Sequence, residues 1–202
     1  MYLSKIIFSL SVLWLAFFFI VIPHYVELTG TLETWFLFKG LIYYKDYSAF
    51  HFPLGRLILY PIHLITNWNL EYDPFLALVI AIANLTIIYK ISKKFFSIWG
   101  ASIALVTFST FYWHSSTGII FFHEQLIGLL ISLVLYILYF LKDKVSKVNF
   151  FLLGLLLSAT ALSGQIASLT LAVLGILVSI KACKKIIGFI YFIIGLSIPW
   201  LI

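Results

Sequence analysis

Residues 148–180 are 33 consecutive positions without a charged side chain, bounded by Lys147 on one side and by Lys181, Lys184 and Lys185 on the other. As one helix this stretch would be about 50 Å long at 1.5 Å per residue. A bilayer hydrocarbon core is only about 30 Å thick. Lysines favour the cytoplasmic side of a membrane, so a segment with lysine at both ends crosses an even number of times. The expectation is a tight hairpin of two short helices. Its outer apex is the polar stretch that contains Ser158, Thr160, Ser163, Gly164, Gln165 and Ser168.

The rest of the chain follows the same pattern. Apolar runs cover residues 6–22, 74–89, 98–113, 126–141 and 186–202. Of the 202 residues, 63% are hydrophobic and 10% charged, against about 45–50% and about 25% in soluble domains. Soluble and disordered classes are therefore excluded. The net charge of +6 does not indicate a nucleic-acid surface, because the basic residues punctuate the apolar runs rather than form a patch. Cys183 is the single cysteine, which excludes an intrachain disulfide and a CxxC metal knuckle. The runs are continuous rather than alternating, so a membrane β-barrel is excluded too. Residues 6–22 lack a small-x-small cleavage pattern, and Val21-Ile22-Pro23-His24 reads as the end of an uncleaved anchor.

The fold expected is all-α, a polytopic transmembrane bundle of about seven spans forming one domain over residues 1–202. With the N-terminus inside, all but three of the 13 Lys and Arg fall on the cytoplasmic side, the exceptions being Lys39, Lys45 and Arg56. Glu27, Glu33, Asp46, Glu71, Asp73 and Glu124 collect outside, as do all five histidines. The positive-inside rule does not account for the acids, so the outer face is read as the chemical one. Its first loop, about residues 23–73, contains two short amphipathic stretches read as interfacial helices. They are residues 31–39, ended by Gly40, and residues 54–66, which hold Arg56, Pro61 and His63.

Several outer residues are candidates for chemistry. Glu27 and Glu124 sit at the outer ends of different spans, where two carboxylates can serve as a base and as a partner for a hydroxyl, an amine or a metal. The competing reading of each is a solvated loop acid. It is weaker for Glu124, which lies between Phe121-Phe122 and an apolar run, where charge is costly. Lys45 and Arg56 are outside cations suited to a lipid phosphate, with snorkelling as the competing reading. Snorkelling is preferred for Lys39. His123-Glu124 does not complete H-E-x-x-H, so a zinc protease is rejected. His51, His63, His114 and His123 have no ligand spacing and read as interfacial hydrogen-bonding groups, so no metal ligands are assigned. Asn84-Leu85-Thr86 matches a glycosylation sequon but falls within a span.

These features come in a particular order. An outer acid, Glu27, follows the first span. An amphipathic helix then ends at Gly40. Tyr44-Lys45-Asp46-Tyr47 comes next, then Phe52-Pro53-Leu54 before a short helix, and Glu124 opens the fourth span. The order resembles the N-terminal part of the GT-C membrane glycosyltransferases, the group that includes protein O-mannosyltransferases and lipid A aminoarabinose transferase. Those enzymes move a sugar from a polyprenyl-phosphate carrier to an acceptor outside the cytoplasm. The family's first-loop Asp-Glu pair corresponds to Val26-Glu27, which precede Gly40 by fourteen and thirteen residues. The Asp is therefore replaced by Val26. Tyr44-Lys45-Asp46-Tyr47 matches the family's Tyr-Arg-Asp-Phe-like stretch. Where some members have a phosphate-binding Lys before the Pro, this chain has Phe52, so His51, Lys45 or Arg56 would substitute.

The resemblance implies an inverting transferase of the plasma membrane with its site facing outside. Glu27 would be the base, with Glu33 a poorer alternative, and Glu124 would position acceptor or donor. Lys45, Asp46, His51, Arg56, His123 and Gln165 would bind substrate. The partners implied are a polyprenyl-phosphate sugar and membrane lipid, with no nucleic acid. A divalent metal is left open as cofactor. Family members are longer, and this chain stops inside an apolar run, which implies a missing C-terminal part. The alternatives are a non-catalytic truncated membrane module and a lipid or solute transporter. Transporters carry mid-span charges, which are nearly absent here.

Overall fold

In the computed structural model, the residues described are 2–21, 28–42, 45–46, 54–69, 72–115, 122–140, 146–163, 175 and 186–201. Among them all regular structure is helical. The helices are α1 (Tyr2–Val21), α2 (Leu28–Phe38), α3 (Leu54–Ile65), α4 (Tyr72–Phe95), α5 (Ile98–Ser115), α6 (Phe122–Phe140), α7 (Lys147–Ala161) and α8 (Ile186–Ser197). A 3-10 turn, Ile198–Trp200, follows α8. The all-α class is thus as expected, and each expected apolar run begins or lies within a helix. One segment, Phe75–Phe95 of α4, is long and apolar enough to cross a membrane by length and composition. Over the described side chains the other apolar segments, such as Lys5–Phe17 and Gln125–Tyr139, are shorter.

The chain divides into two compact units, one drawn from Met1–Ile42 and Arg56–Gln125, the other from Tyr43–Gly55 and Leu126–Ile202. The centre of the first is α1 packed on α4 and α5. Leu15, Ala81, Leu85 and Leu105 are fully buried there, with Phe8, Val12, Leu78, Tyr89 and Phe108 packed around them. Only Phe96 and Ser97 separate α4 from α5. The Ser97 hydroxyl accepts from the Gly100 amide at 3.4 Å and its carbonyl accepts from Ala101 at 3.0 Å. Ser97 is thus the N-cap that restarts the helix. Lys93 and Lys94 fill the last turn of α4, where cations complement the helix dipole. Small or hydroxyl-bearing residues (Ser11, Ala77, Ala101, Ser102, Ser109) face inward, while Leu13, Phe17, Val79, Ile103 and Val106 face outward. Two of the inward hydroxyls return to their own helix, Ser102 to the Ile98 carbonyl at 2.8 Å and Ser109 to the Val106 carbonyl at 3.1 Å.

In the second unit Val134, Leu138, Phe150, Leu153, Leu157 and Phe192 form the core of α6, α7 and α8. Ser146 caps α7 by accepting from the Asn149 amide at 3.3 Å. Glycines let α7 and α8 touch backbone to backbone. A methyl group on Gly154 would collide with the Phe192 carbonyl and lie 2.8 Å from the Leu196 amide. One on Gly195 would collide with the Phe151 carbonyl, and one on Gly188 would lie 2.6 Å from the Phe150 ring. Helix α7 ends at Ala161, so residues 148–180 are not one continuous helix. The break comes just ahead of the expected turn at 163–165, and the returning half, apart from Gly175, lies outside the described residues. Hydroxyls of the polar stretch close off the helix end. Thr160 donates to the Leu156 carbonyl at 2.6 Å and Ser163 to the Ala159 carbonyl at 2.8 Å. The Leu162 carbonyl, left without an intrahelical donor, accepts from the Leu54 amide at 3.2 Å.

Candidate functional site

Helices α2 and α3 carry their polar residues on the inside. Glu33 and Thr34 are buried on α2, while Leu32, Trp35 and Phe38 are exposed. On α3 Arg56, Leu59 and His63 are buried, while Leu57, Leu64 and Ile65 are exposed. The spacing of Arg56, Leu59 and His63 (i, i+3, i+7) places them on one helical face. Arg56 donates through Nε to Glu33 Oε2 at 2.9 Å, and the two side chains are only 2% and 10% exposed. A charge taken so far from water needs a close partner of opposite sign. Here each is the other's, 23 residues apart in sequence.

Both helices end in the same way. At the end of α2 the Leu41 amide donates to the Phe36 carbonyl and the Gly40 amide to the Leu37 carbonyl, each at 3.0 Å. This is a Schellman motif, which needs a left-handed residue just past the helix. Gly40, with φ +77°, supplies it. At the end of α3 the Trp68 amide donates to His63 at 2.8 Å and the Asn67 amide to Leu64 at 3.4 Å. The left-handed residue there is Asn67, φ +51°, the usual second choice after glycine. Trp68 follows with φ +62°, a conformation that costs a non-glycine residue about 1–3 kcal/mol. Its ring meets Trp35 at 5.0 Å, Phe38 at 5.4 Å and His63 at 5.2 Å between centroids. Aromatic pairs contribute about 0.5–1.5 kcal/mol each, enough to offset the strain. Lys39 lies over this cluster, its Nζ 4.7 Å from the Trp35 ring and 5.5 Å from the Phe38 ring.

A second polar locus lies where α4 meets the start of α6. Asn84 and Gln125 are both buried, and Asn84 Nδ2 donates to the Gln125 carbonyl at 3.4 Å. Asn84 Oδ1 and both amide atoms of Gln125 have no hydrogen-bond partner among the described residues. Buried polar atoms are nearly always hydrogen-bonded, so these three call for an ordered water or another polar group. The carboxamides offer donors and acceptors together, which suits a hydroxyl.

Of the residues singled out in the sequence, Glu27, His51 and Gln165 lie outside the described residues. His123 and Glu124 are in the first turn of α6, directly before Gln125, and their backbone alone is described. An acid in a helix's first turn is stabilised by the helix dipole. Lys45 and Asp46 are exposed and adjacent in a turn. Arg56 is brought onto Glu33, a pairing that sequence reasoning missed, as it missed the Trp68 cluster and the Asn84–Gln125 contact. The i, i+3, i+7 spacing of Arg56, Leu59 and His63 was the available signal. Among the described residues no three His, Cys, Asp or Glu side chains gather in a metal-binding arrangement. No family model, curated protein or solved structure matches the chain.

Proposed function

We propose that the chain is a multi-pass membrane protein of the plasma membrane, crossing about seven times, and that it acts as a glycosyltransferase of the GT-C kind with its site facing outside. The membrane part rests on where apolar bulk lies. Large apolar side chains point outward on α1, α4 and α5 while serine and alanine line the contacts between them. In water such a surface would be a large exposed apolar patch. In hydrocarbon it is the ordinary arrangement, since helices there associate through small residues. Interfacial placement of α2 and α3 accounts for the apolar outer faces of both and for Trp35, Lys39 and Trp68 gathering at their ends.

One observation carries the enzymatic part: the ordered set of motifs in the first outer loop. Glu27 precedes a helix that closes on left-handed Gly40, and Tyr44-Lys45-Asp46-Tyr47 and Pro53-Leu54 lead into a second short helix. In this reading the Glu27 carboxylate takes the proton of an acceptor hydroxyl or amine as that group attacks the anomeric carbon. The bond from that carbon to the phosphate oxygen breaks, the configuration inverts, and the polyprenyl phosphate departs with the electron pair. Lys45 meets the developing phosphate charge. Arg56, engaged with Glu33, acts by fixing α3 against α2 rather than on the donor. Glu124 positions the acceptor, and Gln125 and Asn84 behind it supply hydrogen bonds for sugar or acceptor hydroxyls.

The test is transfer of label from a polyprenyl-phosphate sugar in membranes that contain the full chain. Glu27→Gln keeps shape and removes the base, so it should abolish transfer with the protein still present at wild-type level. Full activity in that variant refutes the base assignment. No transfer by the wild type with any donor refutes the enzyme.

A further inference from the structure

The end of the first unit opposite α2 and α3 in the chain's proposed topology collects lysines and exposed aromatics. Lys90, Lys93 and Lys94 fall at i, i+3 and i+4 near the end of α4, so they share one face. All three are exposed. The Phe8 and Tyr89 rings meet at 5.3 Å, which pins the start of α1 to the end of α4. Lys5, exposed one turn before Phe8, therefore joins the same end. Lys93 Nζ lies 5.8 Å from the Tyr89 ring. Phe95, Phe96 and Trp99, at 50%, 60% and 65% exposure, project from the turn that joins α4 to α5.

We infer that this end is a binding surface for the headgroups of anionic phospholipids. The inference rests on the membrane-spanning reading of α4 given above. Charge complementarity selects the occupant. Four lysines on one helix-bundle end hold phosphate-bearing headgroups that carry net negative charge, and neutral headgroups gain nothing from them. The aromatics select the location. Phe95, Phe96 and Trp99 beside the lysines are the pairing of apolar body and cation that settles at the boundary between headgroups and acyl chains. A soluble anion or a polyanion such as nucleic acid would use the lysines and leave the three rings in water.

The experiment reconstitutes the purified full chain in vesicles of phosphatidylcholine holding a fixed fraction of brominated phosphatidylglycerol or of brominated phosphatidylcholine. The signal attributed to Trp99 is the fluorescence quenching lost in the Trp99→Phe variant. The expected result is several-fold stronger quenching of Trp99 by the anionic lipid than by the neutral one, reduced by high salt. Lys90→Gln, Lys93→Gln and Lys94→Gln combined should remove the difference, each lysine contributing up to about fivefold in local preference. The corresponding triple arginine variant should keep it, which separates charge from misfolding. Carbonate-resistant association with both vesicles but equal quenching overturns this inference alone. Failure to associate with either vesicle overturns the spanning reading and this inference with it.

Discussion

Removing the carboxylate of Glu33 should destabilise the protein far more than removing both members of the pair it forms with Arg56. The 2.9 Å contact between Arg56 Nε and Glu33 Oε2 sets the charge centres about 4 Å apart, where an effective dielectric near 20 gives about 4 kcal/mol of attraction. Glu33→Leu forfeits that attraction and leaves a guanidinium, 2% exposed, without its counter-charge. The expected loss is about 3–5 kcal/mol, or about 6–20 °C in midpoint for a chain of this size. Arg56→Met strands a carboxylate that is 10% exposed, so its loss should be toward the lower end of that range. Combining Glu33→Leu with Arg56→Met replaces two buried charges by apolar side chains of similar bulk. That exchange is often close to neutral, so the double variant should recover most of the lost stability. The assay is thermal unfolding of the purified full chain in detergent, followed by tryptophan fluorescence. Additive losses in the double variant, or a wild-type midpoint for either single variant, would refute the claim that this pair holds α2 to α3.

Three further outcomes are expected. Gly154→Val or Gly195→Val should lower the unfolding midpoint by at least the equivalent of about 1–3 kcal/mol, because the added carbons meet backbone atoms of the facing helix; an unchanged midpoint would show that the α7–α8 contact is not that close. Gln125→Leu should cost transfer activity, read as a raised KM for acceptor or donor, with little loss of stability, because it removes two polar atoms that have no partner among the described residues; a large fall in midpoint with KM unchanged would make it a structural residue. In a Cys183→Ser background, an impermeant thiol reagent applied outside should label Asp46→Cys and leave Lys144→Cys unlabelled, and labelling of both from one side would sink the seven-crossing topology.

The elements were legible because the apolar residues come in long uncharged runs. Residues 98–113 fall within α5 and residues 126–140 within α6, since a helix lets an apolar run satisfy its own backbone groups. Gly40 was equally legible as a helix end, because a left-handed residue past the last turn is usually glycine. The end of α3 was not. Asn67 and Trp68 take left-handed conformations that no intrinsic preference of tryptophan would suggest, and only the rings of Trp35, Phe38 and His63 account for it. Within 148–180 the polar stretch marked the break, but periodicity does not reveal how the hydroxyls of Thr160 and Ser163 fold back on the preceding carbonyls. At that end the Leu162 and Ser163 amides take the Ser158 and Thr160 carbonyls, and α7 stops at Ala161, ahead of Gly164.

The three cations expected on the outer face show why the site was harder to read than the fold. In sequence Lys39, Lys45 and Arg56 differ only in their neighbours, and the topology rule treats all three as anomalies. Contacts across the chain separate them. Lys39 rests on the faces of Trp35 and Phe38, an attraction of about 0.5–1 kcal/mol at an exposed site, too weak to withhold it from other anions. Arg56 is buried against Glu33, and drawing it onto a lipid phosphate would break an ion pair worth several times more. The same contact occupies Glu33, whose buried Oε2 accepts from the Arg56 guanidinium and so faces the protein rather than an acceptor. Lys45 stands exposed in a turn beside Asp46, and the sequence matches the family's aromatic-basic-Asp stretch at that place. In the proposed glycosyltransferase reading, the same two contacts therefore bear on both roles at once: they leave Glu27 rather than Glu33 for the base, and Lys45 rather than Arg56 for the phosphate.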